Sequence, residues 1–134
     1  MTILLTNDDG YDADGICYLK NEIKKIEQTV TFAPKQNCSG FSAAISLGKD
    51  IEVEELSKDT FVISGTPADC SYFGLHGSKK FNFTQLVSGI NLGSNLGTDI
   101  FYSGTVGAAI AGLKLRYPPI AFSVASYEPK DIDF

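Results

Sequence analysis

The stretch Ile3-Leu4-Leu5-Thr6-Asn7-Asp8-Asp9-Gly10 decides how the rest of the chain is read. A short apolar run without polar alternation reads as a strand buried on both faces, as in a parallel sheet covered by helices on both sides. Asp8 and Asp9 then sit at its carboxyl edge, where open α/β sheets keep their ligand sites. Two carboxylates side by side in a crevice repel and raise each other's pKa, and a hard divalent cation with oxygen ligands keeps both ionised. The plainer alternative is that one acid caps the following segment and the other faces water.

Downstream, apolar runs alternate with amphipathic stretches, the βαβ rhythm of a mainly parallel sheet. Strands are expected over residues 3–6, 29–32, 61–64, 86–88 and 120–124, the last reading as central. The first helix is expected after Gly15, with Asp14 as its N-cap, because Ile16, Leu19, Ile23 and Ile26 recur at helical steps while Lys20, Glu22, Lys24 and Lys25 fill the other face. Residues 35–42 are polar and glycine-containing and read as a loop, and 45–56 as an exposed antiparallel excursion. Thr66-Pro67 starts a short helix running to Leu75 and stopped by Gly77. A last helix begins near Thr105, with Val106, Ala109, Ile110 and Leu113 as its apolar stripe and Lys114 and Arg116 at its C-terminal end, before Pro118-Pro119. The segment from Tyr127 to Phe134 reads as acidic and turn-like, so the chain is either short or part of a longer one.

The 134 residues suit one α/β domain, and the formal net charge of -5 leaves no general basic surface for a nucleic-acid duplex or an anionic membrane. An anionic substrate must be met by a local cation or by backbone dipoles. No apolar window is long enough to cross a bilayer and no basic leader opens the chain, so a soluble, cytoplasmic protein is expected. Cys17, Cys38 and Cys70 form no metal-type cluster and read as small core residues in a reduced compartment.

Several segments carry candidate chemistry. The loop Ser88-Gly89-Ile90-Asn91-Leu92-Gly93-Ser94-Asn95-Leu96-Gly97 leaves a second apolar strand, so Asn91 can offer a neutral oxygen to a cation beside Asp8 and Asp9; the alternative is a loop that merely needs positive φ. Tyr102-Ser103-Gly104-Thr105-Val106 opens a helix, where free N–H groups and the Ser103 and Thr105 hydroxyls suit a phosphate, or where one hydroxyl is an ordinary cap. In Asn37-Cys38-Ser39-Gly40-Phe41-Ser42, Ser39 lacks a base, since the only histidine is His76 at the end of an unrelated helix. Ser39 is therefore an oxygen donor to a metal or phosphate, or a turn residue. Asp12 and Asp14 lack the spacing of an EF-hand, and no Gly-Lys-Ser/Thr phosphate loop is present.

Taken together and in order, Ile3 to Gly10, Ala33-Pro34 with Ser39-Gly40, Ser64-Gly65-Thr66-Pro67-Ala68-Asp69-Cys70, Ser88 to Gly97 and Tyr102 to Val106 resemble the SurE family across nearly the whole chain. The resemblance implies a three-layer Rossmann-like fold whose C-terminal part is missing here. It also implies a divalent-metal-dependent 5′-nucleotidase acting on nucleoside 5′- and 3′-monophosphates. Asp8, Asp9, Ser39 and Asn91 would be the metal ligands, with Asn95, Ser103, Gly104 and Thr105 around the phosphate and Asp8 and Asp9 catalytic. The full-length protein would be a homo-oligomer, a dimer or tetramer, completed by its C-terminal region. Two residues depart from the family pattern: Cys38 where an arginine usually precedes the serine, and Phe41 where a small residue is common.

An all-oxygen donor set suits Mg²⁺ or Mn²⁺. Asp8 or Asp9 would orient or deprotonate the attacking water, or alternatively one of them would be the nucleophile. The competing readings are a non-catalytic flavodoxin-like nucleotide or flavin module, and a truncated, inactive metal binder.

Overall fold

A computed structural model describes residues 1–126 together with Glu128 and Ile132, so the turn-like reading of Tyr127 to Phe134 lies almost wholly outside the described residues. Strand β1 (Thr2–Thr6) is flanked on both sides by parallel neighbours, β2 (Gln28–Pro34) and β5 (Gln85–Asn91), with Leu4 level with Val30 and Leu86. The sheet is completed by β3 (Val53–Ser57), β4 (Thr60–Ile63) and β6 (Ile120–Ser123) in the order β3-β4-β2-β1-β5-β6. Only β3 runs antiparallel, as an exposed hairpin on β4, which is the excursion expected from 45–56.

Alternate residues of β1 feed two cores. Ile3 and Leu5 pack with Ile16, Leu19 and Ile23 of α1 (Asp14–Ile23), while Leu4 packs with Val30, Phe32, Phe61 and Ile63 on the opposite face. That second face is covered by α2 (Pro67–Tyr72) and α3 (Gly104–Ile110), giving the three layers expected. Its centre is aromatic: Phe32 stacks on Phe61 at 4.7 Å between ring centroids, with Phe83 edge-on at 6.1 Å. Truncating a fully buried ring of this kind costs about 3–5 kcal/mol.

The start of α2 follows the capping logic closely. The Thr66 side chain accepts from the Asp69 N–H at 3.1 Å, the Asp69 carboxylate accepts from the Thr66 N–H at 2.8 Å, and Pro67 takes the position where no N–H is needed. Beyond Tyr72 the chain continues as a wider π turn, Phe73–Gly77, to the glycine expected to end it.

Five expectations are corrected. Strand β6 is an edge strand with all four residues exposed, because no described strand pairs beyond it. Ile26 is exposed, because α1 ends at Ile23 and the chain turns through an Ile26 N–H to Ile23 carbonyl bond. Ala13 is the N-cap of α1 and Asp14 its first residue, where its charge still faces the positive end of the helix. Cys17 is exposed on the outer side of α1, whereas Cys38 and Cys70 are buried as expected. In α3 the large residues point outward: Ile110 is 51 % exposed and Leu113, in the 3-10 turn Ala111–Lys114, is 67 % exposed. The buried face is instead Gly104, Thr105, Gly107, Ala108 and Ala109, small residues that let the helix approach closely.

Candidate active site at the carboxyl edge of the sheet

Beyond β1 the chain turns tightly. Asn7 is fully buried and its Nδ2 donates to the Gly10 carbonyl at 2.7 Å, while Gly10 takes φ +117°, a left-handed conformation that glycine adopts without strain. This turn presents Asp8 and Asp9 together at the strand's carboxyl end.

Asp8 is 3 % exposed, and its carboxylate is met by the start of α3. Thr105 Oγ1 donates to Asp8 Oδ1 at 2.5 Å, and the N–H groups of Gly104 and Thr105 also bond to that side chain. Gly104 makes the approach possible, since a Cβ there would lie 2.9 Å from Asp8 Oδ2. Burial pushes the Asp8 carboxyl up, and these hydrogen bonds offset the rise only in part. Asp9 is also raised, first by burial and then by the charge of Asp8, against hydrogen bonds from the Leu92 N–H and the Asn37 side chain. Asp9 Oδ2 is buried with no hydrogen-bond partner among the described residues.

The loop after β2 is tied to this turn. The Cys38 N–H donates to the Asp8 carbonyl at 2.7 Å, and Asn37 bridges two expected ligands. Asn37 Nδ2 donates to Asp9 Oδ1 at 3.3 Å while Asn37 Oδ1 accepts from the Ser39 N–H at 2.9 Å. Cys38 is buried with its thiol donating to the Gln36 carbonyl at 3.4 Å, and burial, with the charges of Asp8 and Asp69, pushes that thiol up. From the end of β5, Asn91 Nδ2 donates to the Gly93 carbonyl at 2.9 Å, which leaves Oδ1 for another partner. Asn95 Nδ2 donates to Ser123 Oγ at 2.7 Å and so ties the loop to β6.

Asp8, Asp9, Ser39, Asn91, Asn95 and Ser103 all line one cleft of about 340 Å³. Gly104 and Thr105 do not line it. Both are buried against Asp8, so the anion at the start of α3 is the protein's own carboxylate. Ser103 Oγ caps α3 by accepting from the Val106 N–H at 3.2 Å and still borders the cleft. His76 lies elsewhere, beside Tyr72 with ring centroids 4.7 Å apart. A wider groove of about 750 Å³ at the opposite ends of the strands is bordered by Lys24, Lys58 and Asp59, with Lys24 2.7 Å from Asp59.

Sequence reading passed over Asn37, Ser94, Asp99 and Tyr102, which the fold brings to this site. Only Asn37 carried a signal, as an Asn able to make a local turn bond two residues before the loop glycine region. Every cleft residue with a formal charge is an acid, Asp8, Asp9 or Asp99, and none of the lining residues is Lys or Arg. The donors are two clustered carboxylates with hydroxyl and amide oxygens, and no group of three or more His, Cys, Asp or Glu is placed to hold a metal ion among the described residues.

An open, mainly parallel sheet with an oxygen-lined cleft at the carboxyl ends of its central strands defines an α/β protein of Rossmann-like fold. Within that class the chain belongs to the SurE family, whose model, described as survival protein SurE, matches residues 3–134. It is 44 % identical over 136 residues to the 5′-nucleotidase SurE of Acinetobacter baumannii strain AYE, covering 98 % of this chain and 53 % of that protein. Its identity to the 5′-nucleotidase SurE of Pseudomonas savastanoi pv. phaseolicola is 40 % over 132 residues, with 98 % and 53 % covered. The crystal structure of the SurE protein from Aquifex aeolicus superposes with a TM-score of 0.88 at 38 % identity, covering 96 % of this chain and 52 % of that one. The chain thus spans about half the length of the curated relatives it matches.

Proposed function

We propose that this cleft hydrolyses nucleoside 5′- and 3′-monophosphates to nucleoside and phosphate, with Mg²⁺ or Mn²⁺ held by Asp8, Asp9, Ser39 and Asn91. The observation that carries the reading is the charge of the cleft. Asp9 Oδ2 is buried without a partner beside the Asp8 carboxylate, and no basic residue lines the walls. Such a site accepts a phosphate only once a cation has neutralised it, and the donors present, carboxylate, hydroxyl and amide oxygens, are those a hard divalent ion takes. The relatives named 5′-nucleotidase SurE support the substrate class.

When bound, such an ion supplies charge neutralisation at the phosphate and acidifies water at neutral pH. The chain's own residues do the rest. Thr105 and the start of α3 hold Asp8 in one orientation, and Asn37 couples Asp9 to Ser39. The Ser103 oxygen already accepts from Val106, which leaves its proton for a phosphate oxygen, and Asn95 adds an amide on the same wall. Asp8 or Asp9 orients the attacking water and takes its proton.

The test is phosphate release from a panel of nucleoside monophosphates with each metal. Wild type releases phosphate only with added Mg²⁺ or Mn²⁺, Asp9→Asn releases none while keeping its circular dichroism, and no phosphoenzyme accumulates on either aspartate. A wild-type chain inert with every nucleotide and metal pair overturns the reading.

A further inference from the structure

We propose that Tyr102 is the platform on which the base of the substrate stacks, and so the residue by which the cleft selects nucleotides over other phosphomonoesters. The inference rests on the nucleotidase reading above. Tyr102 carries the only aromatic ring among the residues lining the cleft, and it is 69 % exposed. No hydrogen bond or ring contact to another described residue engages its side chain. A large aromatic surface left bare in a concave polar site is the usual mark of a recognition residue, because it offers contact area with few torsions to freeze.

Its backbone is held while its ring is not. The Tyr102 carbonyl accepts from the Ser42 N–H at 3.1 Å, and Ser42 Oγ donates to the Phe101 carbonyl at 2.6 Å. The N–H groups of Tyr102 and Ser103 both donate to the Asp99 carbonyl at 3.0 Å. The loop bearing Ser39 and the turn bearing Tyr102 are thereby locked together, so little ordering remains to be done when a ligand arrives. Neighbouring rings lack this placement: Phe101 is 71 % exposed and Phe41 49 % exposed, but neither lines the cleft.

The register also fits a nucleotide. Ser103, proposed to touch phosphate, follows Tyr102 directly, about 3.8 Å away along the backbone. Apart from Leu92 the other lining residues are carboxylates, amides, hydroxyls and glycines, which suit a cation, a phosphate and a sugar but offer no face to a base. Because every base has a π-face, a stack of this kind tolerates all bases and favours the larger purines.

The experiment compares kcat/KM for AMP with kcat/KM for glycerol phosphate, which has no ring, in wild type, Tyr102→Ala and Tyr102→Phe. The AMP to glycerol phosphate ratio falls roughly tenfold in Tyr102→Ala, and Tyr102→Phe keeps the wild-type ratio. An unchanged ratio in Tyr102→Ala, whether both rates hold or both fall together, overturns the proposal while leaving the nucleotidase reading intact. If wild type hydrolyses neither compound, the nucleotidase reading fails by itself. The stack is then read by equilibrium dialysis of AMP with Mg²⁺: equal affinity in wild type and Tyr102→Ala overturns it, and roughly tenfold weaker binding in the variant supports it.

Discussion

Thr105 Oγ1 lies 2.5 Å from Asp8 Oδ1, a bond that joins the end of β1 to the start of α3 across 97 positions of sequence. It changes the meaning of the Tyr102-Ser103-Gly104-Thr105-Val106 segment. A helix start of that composition attracts an anion, and here the anion is already present in the form of Asp8. The segment's first task is to hold a buried carboxylate in place, and of its residues Tyr102 and Ser103 remain at the cleft wall.

Replacing Thr105 with Val keeps the volume and deletes the donor, leaving Asp8 buried and one bond short. Stability at neutral pH is expected to fall by about 1–3 kcal/mol, and the Asp8 carboxyl to rise further, since that bond is among those that lower it. Urea denaturation of Thr105→Val beside Thr105→Ser checks this, with Ser retaining most of the stability. Equal midpoints for Val and wild type would show that the bond does not bear on Asp8.

Gly104→Ala tests the same contact by sterics. A Cβ at this position would lie 2.8 Å from Asp8 Cβ and 3.2 Å from Pro67 Cγ, so α3 must shift or Asp8 must leave. The expected loss is about 1–3 kcal/mol in thermal or chemical denaturation, with Mn²⁺ affinity falling alongside. Gly40→Ala is the control within the site: φ is +80° but no atom lies within 4 Å of the added carbon, so its effect is backbone strain of about 1 kcal/mol.

Metal binding is readable without turnover. With free Mg²⁺ or Mn²⁺ at about 100 times Kd, the wild-type chain should gain about 2.7 kcal/mol, and a chelator should return it to its starting melting temperature. Asp9→Asn should abolish the gain. The metal-free variant should melt no lower than metal-free wild type, because burial and the charge of Asp8 both disfavour an ionised Asp9 in the fold.

Asn37 touches neither substrate nor metal in the proposed scheme, yet it holds Asp9 and the Ser39 backbone at 3.3 and 2.9 Å. Asn37→Ala should weaken Mn²⁺ binding by about 10–100-fold while the fold persists, as is usual when a group orienting metal ligands is lost. Calorimetric titration measures it, and wild-type affinity in the variant would remove Asn37 from the site.

Far from the cleft, Asp59 provides a pH test of the scaffold. Burial works against its charge, but Lys24, Ser57, Thr60 and Lys20 outweigh it and hold the carboxyl well below the ordinary range. A depressed carboxyl contributes stability that is complete above its unfolded pKa of about 3.9 and is lost as pH falls through the folded value. Asp59→Asn should therefore cost about 1 kcal/mol at neutral pH, a difference that narrows below about pH 4 in melts taken across a pH series.

What local pattern encodes was legible in the chain. The unalternating run Ile3-Leu4-Leu5, the capping pair Thr66 and Asp69 and the helical spacing of Ile16, Leu19 and Ile23 depend on contacts within a turn or on the period of one element, and the structure repeats them. Where an outcome depended on what lies across the gap, sequence spacing misled. Val106, Ala109, Ile110 and Leu113 have ideal helical intervals, yet of the four only Ala109 is buried, because α3 turns its small side to the sheet and the Ser42 loop, which leave room for nothing larger. Strand β6 looked central because its residues are apolar, and only pairing decides whether a strand has neighbours on both sides.

The same division runs through the candidate site. Sequence alone placed Asp8 and Asp9 at the end of the apolar run Ile3 to Leu5 and Asn91 at the end of a second one, with Ser39 in a polar loop further on. Tertiary structure alone decided how they are used: that Thr105 serves Asp8, that Asn37 couples Asp9 to Ser39, and that the exposed ring of Tyr102 borders the cleft. Hydrogen bonds between residues tens of positions apart leave no periodic trace in a chain. They exist only once parallel strands have brought separate loops to one edge of the sheet.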